Sequence, residues 1–143
     1  AREAIAQLGL RAVMLGLDAG ASGPDRAAMT WSAPYFPFEL LLPHARALVH
    51  HGGIGTSAQA LHAGIGQLVW PQAYDQFDNA LRLEQLGVGR TLPPGPPSAA
   101  DLAHQLGLLL VDPAVAKACD RWVRRIAGDS AMNDGCAWLE SLP

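Results

Sequence analysis

The strongest constraint on this chain is a turn. The apolar run Ala47-Leu48-Val49 leads into His50-His51-Gly52-Gly53-Ile54-Gly55-Thr56-Ser57, and a helical pattern continues through Ala63. A strand that passes through glycines into a helix start leaves backbone N–H groups unpaired at the positive end of the helix dipole. Such a turn suits an anion: the N–H groups, a hydroxyl from Thr56 or Ser57 and the imidazole of His51 would converge on a phosphate. Glycine fits here because a Cβ would hold the phosphate off the backbone. Glycine turns between strand and helix are common and most bind nothing, so the turn alone decides little. It is not a P-loop, because no Lys follows the glycines. It also fails the G-x-G-x-x-G spacing of a dinucleotide site, with no acidic ribose-binding residue after the next strand.

The same design then repeats. A short apolar strand at residues 68–70 is followed by Pro71 and by a helix that opens near Asp75 and continues through Leu86. Successive strand-to-helix turns of a parallel sheet lie side by side at the carboxyl ends of the strands, where open α/β sheets take their ligands. Asp75 and Gln76 put a carboxylate and a carboxamide on the second turn, a pair suited to sugar hydroxyls.

Together these segments resemble the donor-binding signature of nucleotide-diphosphate-sugar glycosyltransferases of the two-domain GT-B architecture, in the group of UDP-glycosyltransferases and macrolide or sterol glycosyltransferases. The signature is an aromatic-x-Pro-x run, His-x-Gly-x-x-Ser/Thr, a Gly, a Pro and Asp/Glu-Gln-x-x-Asn. Tyr35-Phe36-Pro37-Phe38, His51 to Thr56, Gly64, Pro71 and Asp75-Gln76-Phe77-Asp78-Asn79 fall into it with the family's spacing. The surrounding text, Ala33-Pro34-Tyr35 with Ala58-Gln59, is similar to the bacterial rhamnosyltransferases that build rhamnolipids. The resemblance implies a Rossmann-like three-layer α/β/α fold with a parallel sheet, the C-terminal half of a GT-B enzyme.

The resemblance also assigns roles. Tyr35 matches the ring that stacks on the donor's base, and Phe36 the position whose backbone meets the base edge. His51, Gly53, Gly55 and Thr56 match the diphosphate cradle, with His51 stabilising the leaving group. Asp75 and Gln76 match the clamp on the transferred sugar, supported by Asn79. Gln59 stands where many members carry a ribose-binding glutamate, which leaves UDP against dTDP open. Phe38 replaces a frequent glutamine, and Gly66 a usual proline. The implied activity is inverting, metal-independent transfer of a hexose from a UDP- or dTDP-sugar to a small hydrophobic or lipid-like acceptor, with no cofactor. A non-catalytic nucleotide-binding or sensing module of the same fold is the alternative.

At 143 residues, half of them apolar and 16% charged, the chain can build one core, so residues 1–143 are expected to form one domain. The formal charge of −3 gives no basic footprint for nucleic acid. No apolar run approaches the ~20 residues that span a bilayer, and no secretory signal is visible. Cys119 and Cys136 lack metal spacing and are expected as buried free thiols, favouring the cytoplasm; peripheral membrane attachment of the whole enzyme stays open. A helix at residues 2–8 already under way, where the family has a strand and small-residue turn first, suggests a fragment. The acceptor pocket and its catalytic base would lie in an N-terminal domain, so this piece is expected to bind donor without transferring sugar.

The remaining pattern gives a strand at 11–16, loop at 18–25, strand at 27–31 and a helical turn at 38–43. Glycines at 87–89 end the helix after Asp75, and residues 91–98 are a break. Ser98 then caps a helix through Leu110, Asp112-Pro113 starts another through Arg125, and a last helix covers 131–142; it resembles the helix that packs back across the two domains of the family, with Trp138 as a core residue the alternative. Arg121, Arg124 and Arg125 are taken as a solvated face. His44, His50, His62 and His104 show no zinc spacing, and His50 is expected to support the turn. Asp75 and Asp78 have Mg²⁺ chemistry, but carboxylates at a helix N-terminus complement the dipole in any case.

Overall fold

A computed structural model of the chain describes residues 1–16, 23–26, 29–127 and 131–142. The order is α1 (Arg2–Gln7), β1 (Ala12–Leu15), β2 (Gly23–Asp25), β3 (Thr30–Ala33), α2 (Phe38–Leu41), a 3-10 turn (Leu42–His44), β4 (Ala47–His50), α3 (Ile54–Ala63), β5 (Gly66–Val69), α4 (Gln76–Gln85), β6 (Gly89–Thr91), α5 (Ala99–Val111), α6 (Pro113–Ala127) and α7 (Ala131–Glu140). The strands form two three-stranded sheets, ordered β1-β3-β2 and β4-β5-β6. Pairing is parallel except between β2 and β3. Strands alternating with helices in parallel pairing are the Rossmann-like α/β arrangement expected from the sequence.

The second sheet holds the core. All four residues of β5 are buried, as befits a central parallel strand with helices on both faces. Leu68 and Val69 pack with Ala80 and Leu83 of α4, Leu102, Leu106 and Leu109 of α5, and Val115, Ala118 and Cys119 of α6. A smaller cluster joins Leu42, Ala60 and Ile65. α5 starts with a capping box: the Ser98 hydroxyl accepts from Asp101 N–H at 3.0 Å, and the Asp101 carboxylate accepts from Ser98 N–H at 3.2 Å.

Several expectations change. Gly23–Asp25, read as loop, is an edge strand, the one place in a sheet where Pro24 is tolerated. The rest of that loop, 18–22, and residues 27–28 of the next strand lie outside the described residues. β5 begins at Gly66, two residues before the predicted strand, and Gly89–Thr91 is a third parallel strand rather than only a helix stop. Cys119 is buried but Cys136 is exposed. Trp138 is 63% exposed and therefore not core.

Candidate functional site

β4 delivers the first turn and β5 the second, and their register sets His50 beside Val69. Both turns therefore emerge at the same end of the sheet. Gly52 has φ +92, a conformation open to glycine, and a Cβ there would lie 2.8 Å from Val69 Cγ1 and 3.1 Å from the Gln76 carbonyl. The two turns are thus in contact at Gly52. Asn79, buried on α4, locks them: its Nδ2 donates to Gly52 O and to Asp75 Oδ2, both at 2.9 Å.

Gly53 is the N-cap of α3 and supplies no side-chain cap. The first intrahelical bond is Ser57 N–H to Gly53 O at 3.0 Å, so the N–H groups before it have no helical acceptor. The His51 ring lies against this end: a Cβ on Gly53 would sit 2.7 Å from His51 Nε2. A Cβ on Gly55 would meet nothing within 4 Å, so no packing within the protein requires glycine there. Of the two hydroxyls considered from sequence, Ser57 is buried and donates to Gly53 O at 3.0 Å, which leaves half-buried Thr56. An imidazole, unpaired amides and a hydroxyl surrounding the positive end of a helix can hold a dianion.

On the second turn the Gln76 side chain partly serves its own loop. Its Oε1 accepts from the N–H groups of Gln72 at 2.7 Å and Ala73 at 3.1 Å, leaving its amide N–H donors to offer outward. Exposed Asp75 presents a carboxylate whose Oδ2 takes only Asn79 among the side-chain donors described. Asp78 is engaged by Arg82 at 2.7 Å across one helical turn. Tyr74, between the strand and Asp75, has φ +56 and is 92% exposed.

Of the residues matched to the nucleoside, Tyr35 and Phe36 sit on another element, after β3, while Gln59 shares α3 with Thr56. Tyr35 follows β3 with 75% of its surface exposed, so a ring face is open for stacking. Phe36 is half-buried, edge-on to Trp31 with ring centres 5.9 Å apart. Gln59, on α3, lines a groove of about 400 Å³ with Phe38, Leu42, Pro43 and His62. A larger cleft of about 510 Å³ lies around Gly87 and Gly89, at the amino end of β6 and away from the turns. Among its charged residues, Arg90 and Asp112 pair at 3.2 Å, Glu84 accepts from Thr91 N–H and Arg121 donates to Leu86 O.

Behind the turn, His50 supports it as expected, and Gln67 is a component the sequence reading missed. His50 accepts the Gly52 N–H on Nδ1 at 3.1 Å, and its Nε2 meets Gln67 Oε1 at 3.0 Å. Gln67 Nε2 donates to Ser57 O at 3.3 Å. Burial, with His51 nearby as a lesser cause, pushes the His50 pKa down to about 4. A fully buried glutamine in an apolar strand was the available signal. The basic cluster is the solvated face expected, with Arg121, Arg124 and Arg125 all exposed, and it also packs on an aromatic ring: Arg121 and Arg125 flank Trp122 at 5.8 and 5.3 Å, and Arg121 donates to Leu86 O.

Parallel strands that bring two braced strand-to-helix turns to one sheet edge define the C-terminal α/β domain of the GT-B glycosyltransferase architecture. The chain belongs to the family described as erythromycin biosynthesis protein CIII-like, C-terminal domain, which it matches over residues 17–133. It is 33% identical to aclacinomycin-T 2-deoxy-L-fucose transferase of Streptomyces galilaeus over 142 residues, 98% of this chain and 32% of that protein. It is 36% identical to erythronolide mycarosyltransferase of Saccharopolyspora erythraea over 124 residues, 85% of this chain and 30% of that one. Among solved structures, the glycotransferase of kitacinnamycin aligns at TM-score 0.82 and 26% identity, covering 99% of this chain and 38% of that one. A spinosyn rhamnosyltransferase complexed with thymidine diphosphate aligns at 0.74 and 28% identity, covering 88% and 36%. The chain therefore spans about a third of the length of the curated relatives it matches.

Proposed function

We propose that this chain is the donor-binding domain of an inverting glycosyltransferase that uses a dTDP- or UDP-sugar. The observation that carries the reading is the joined pair of turns: His51 lies over the uncapped start of α3, and Asn79 ties that turn to Asp75. The complex of a related rhamnosyltransferase with thymidine diphosphate supports the nucleotide class. In this reading Tyr35, Phe36 and Gln59 receive the nucleoside. His51, Gly53, Gly55 and Thr56 hold the diphosphate, and Asp75 with the Gln76 amide grips the hexose.

Negative charge grows on the diphosphate as the glycosyl bond breaks, so catalysis needs donors that bind the departing group more strongly than the intact donor. His51 and the α3 N-terminus supply such donors without a cofactor. The small hydrophobic acceptor and the base that deprotonates its hydroxyl are assigned to the rest of the enzyme, as the family resemblance implies, because the imidazole of His51 and the carboxylate of Asp75 at the turns are assigned to the diphosphate and the sugar. This chain alone should therefore bind donor and transfer nothing.

Calorimetric titration with UDP-, dTDP- and GDP-sugars tests the binding, and turnover of variants in the full-length enzyme tests the chemistry. His51→Ala should lower turnover by about 3 kcal/mol of transition-state stabilisation, roughly a hundredfold, and Thr56→Ala by less. Unchanged turnover in His51→Ala would remove that histidine from the mechanism. Tight NAD binding with no response to any nucleotide sugar would overturn the assignment itself.

A further inference from the structure

We propose that His50 and Gln67 are positioning residues, forming a one-directional hydrogen-bonded brace behind the first turn that fixes the outward aim of the α3 amides. The brace starts at Gly52 N–H and ends at Ser57 O, so its two ends enclose the segment 53–56 that faces the diphosphate. Its consequence for nucleotide binding rests on the function proposed above; its geometry does not.

The direction of the brace is set by chemistry. A backbone N–H can only donate, so Nδ1 of His50 must carry a lone pair, and the neutral ring then has its proton on Nε2. That proton can only go to Gln67 Oε1, which turns the Gln67 amide toward Ser57 O. No member can be reversed without setting donor against donor. The remaining inward groups of the loop are also satisfied: Gly53 O accepts from the Ser57 hydroxyl, and Gly52 O from Asn79. With every inward group paired, the amides at the start of α3 are left to face out.

A second proton on the imidazole would point Nδ1–H at Gly52 N–H and break the chain at its first link. Burial disfavours the charged ring most and His51 on the same turn adds to it, while the Gln67 hydrogen bond from β5 pulls the other way without reversing the balance; from α4, the Asn79 amide reaches Gly52 O of the same loop with Asp75 bonded behind it. Burial keeps the ring neutral, with a pKa near 4.

Long-range proton–nitrogen correlation on ¹⁵N-histidine-labelled full-length protein reads the arrangement directly, without any nucleotide. The expected result at neutral pH is a His50 ring protonated on Nε2 alone and unchanged on acidification to pH 5. A proton on Nδ1, or titration in the ordinary histidine range, overturns the brace. Calorimetry with dTDP as probe then tests positioning. His50→Leu and Gln67→Met should each weaken dTDP binding about tenfold. His50→Asn, whose Oδ1 can accept the N–H two residues on but whose side chain cannot also reach Gln67, should fall between the parent and His50→Leu. A folded His50→Leu or Gln67→Met protein with undiminished dTDP affinity overturns the positioning role, and if one variant fails to fold the other decides. Failure of the unmodified protein to take any nucleotide sinks the proposed function, while the ring measurement still decides the brace.

Discussion

In the sheet β4-β5-β6 the central strand is fully buried among leucines and valines from three helices. In the sheet β1-β3-β2, Val13 and Trp31 are 38% and 39% exposed, and the tie to α1 is polar. There the Arg2 guanidinium donates to Thr30 Oγ1 at 2.6 Å, Ser32 Oγ at 2.9 Å and Asp25 Oδ2 at 3.2 Å. The difference maps onto the proposed division of labour. Both turns assigned to diphosphate and sugar are mounted on the apolar half, where close packing holds positions to fractions of an ångström. The aromatic residues assigned to the base follow β3, on the half whose described side-chain tie to α1 runs through the Arg2 guanidinium. Placement of reacting groups tolerates little error, whereas a stacked ring tolerates sliding.

The contrast can be broken by unequal damage. Leu68→Ala, at a fully buried site on β5, should cost about 3 kcal/mol or more by denaturant titration and loosen both turns together. A loss under about 1 kcal/mol would mean that the apolar half is not the rigid one.

A second measurement sharpens the contrast through pH. The folded pKa of His50 lies below its unfolded value, so the unfolded state binds the extra proton first. Stability should therefore be fully present above pH 6.5 and fall as pH drops toward 4, by about 3 kcal/mol in all. His50→Asn should flatten that part of the slope, and an unaltered slope would place its origin elsewhere. The smallest effect is expected from Arg2→Ala, about 1 kcal/mol after allowance for its exposure. Amide exchange should quicken in β3 while β5 stays protected; equal acceleration in both would merge the halves into one unit.

Much of the apolar half was legible because its signals are local. The glycine turn, the helix starting at its end, the Ser98 cap and the buried run at β5 each declare themselves within a few residues. The polar half was less so. Gly23-Pro24-Asp25 has a turn's composition and becomes a strand only by pairing with Trp31 and its neighbours, a tertiary fact. The brace was half visible: His50 could be seen to support the turn. Gln67 could not, since ten residues separate it from the carbonyl it meets, and only the parallel pairing of β4 and β5, which sets it opposite Leu48, lets its side chain reach diagonally to His50. The turn's residues alone left Thr56 and Ser57 open and the family resemblance chose Thr56; the helix phase, which turns the Ser57 hydroxyl onto Gly53 O, supplies the physical reason.

α3 is a strut pinned at both ends. Its last residue hands over to Gly64, whose φ of +70 and close approach to Val123 of α6, 2.6 Å from where a Cβ would stand, leave no room for a side chain. Ten residues of helix make a rod ~15 Å long, and such rods transmit axial displacement better than they absorb it. A bulkier residue at the far tip would push against α6 and displace the helix start assigned to the diphosphate without touching it, so sequence drift on α6 opposite Gly64 can act on a turn it never meets.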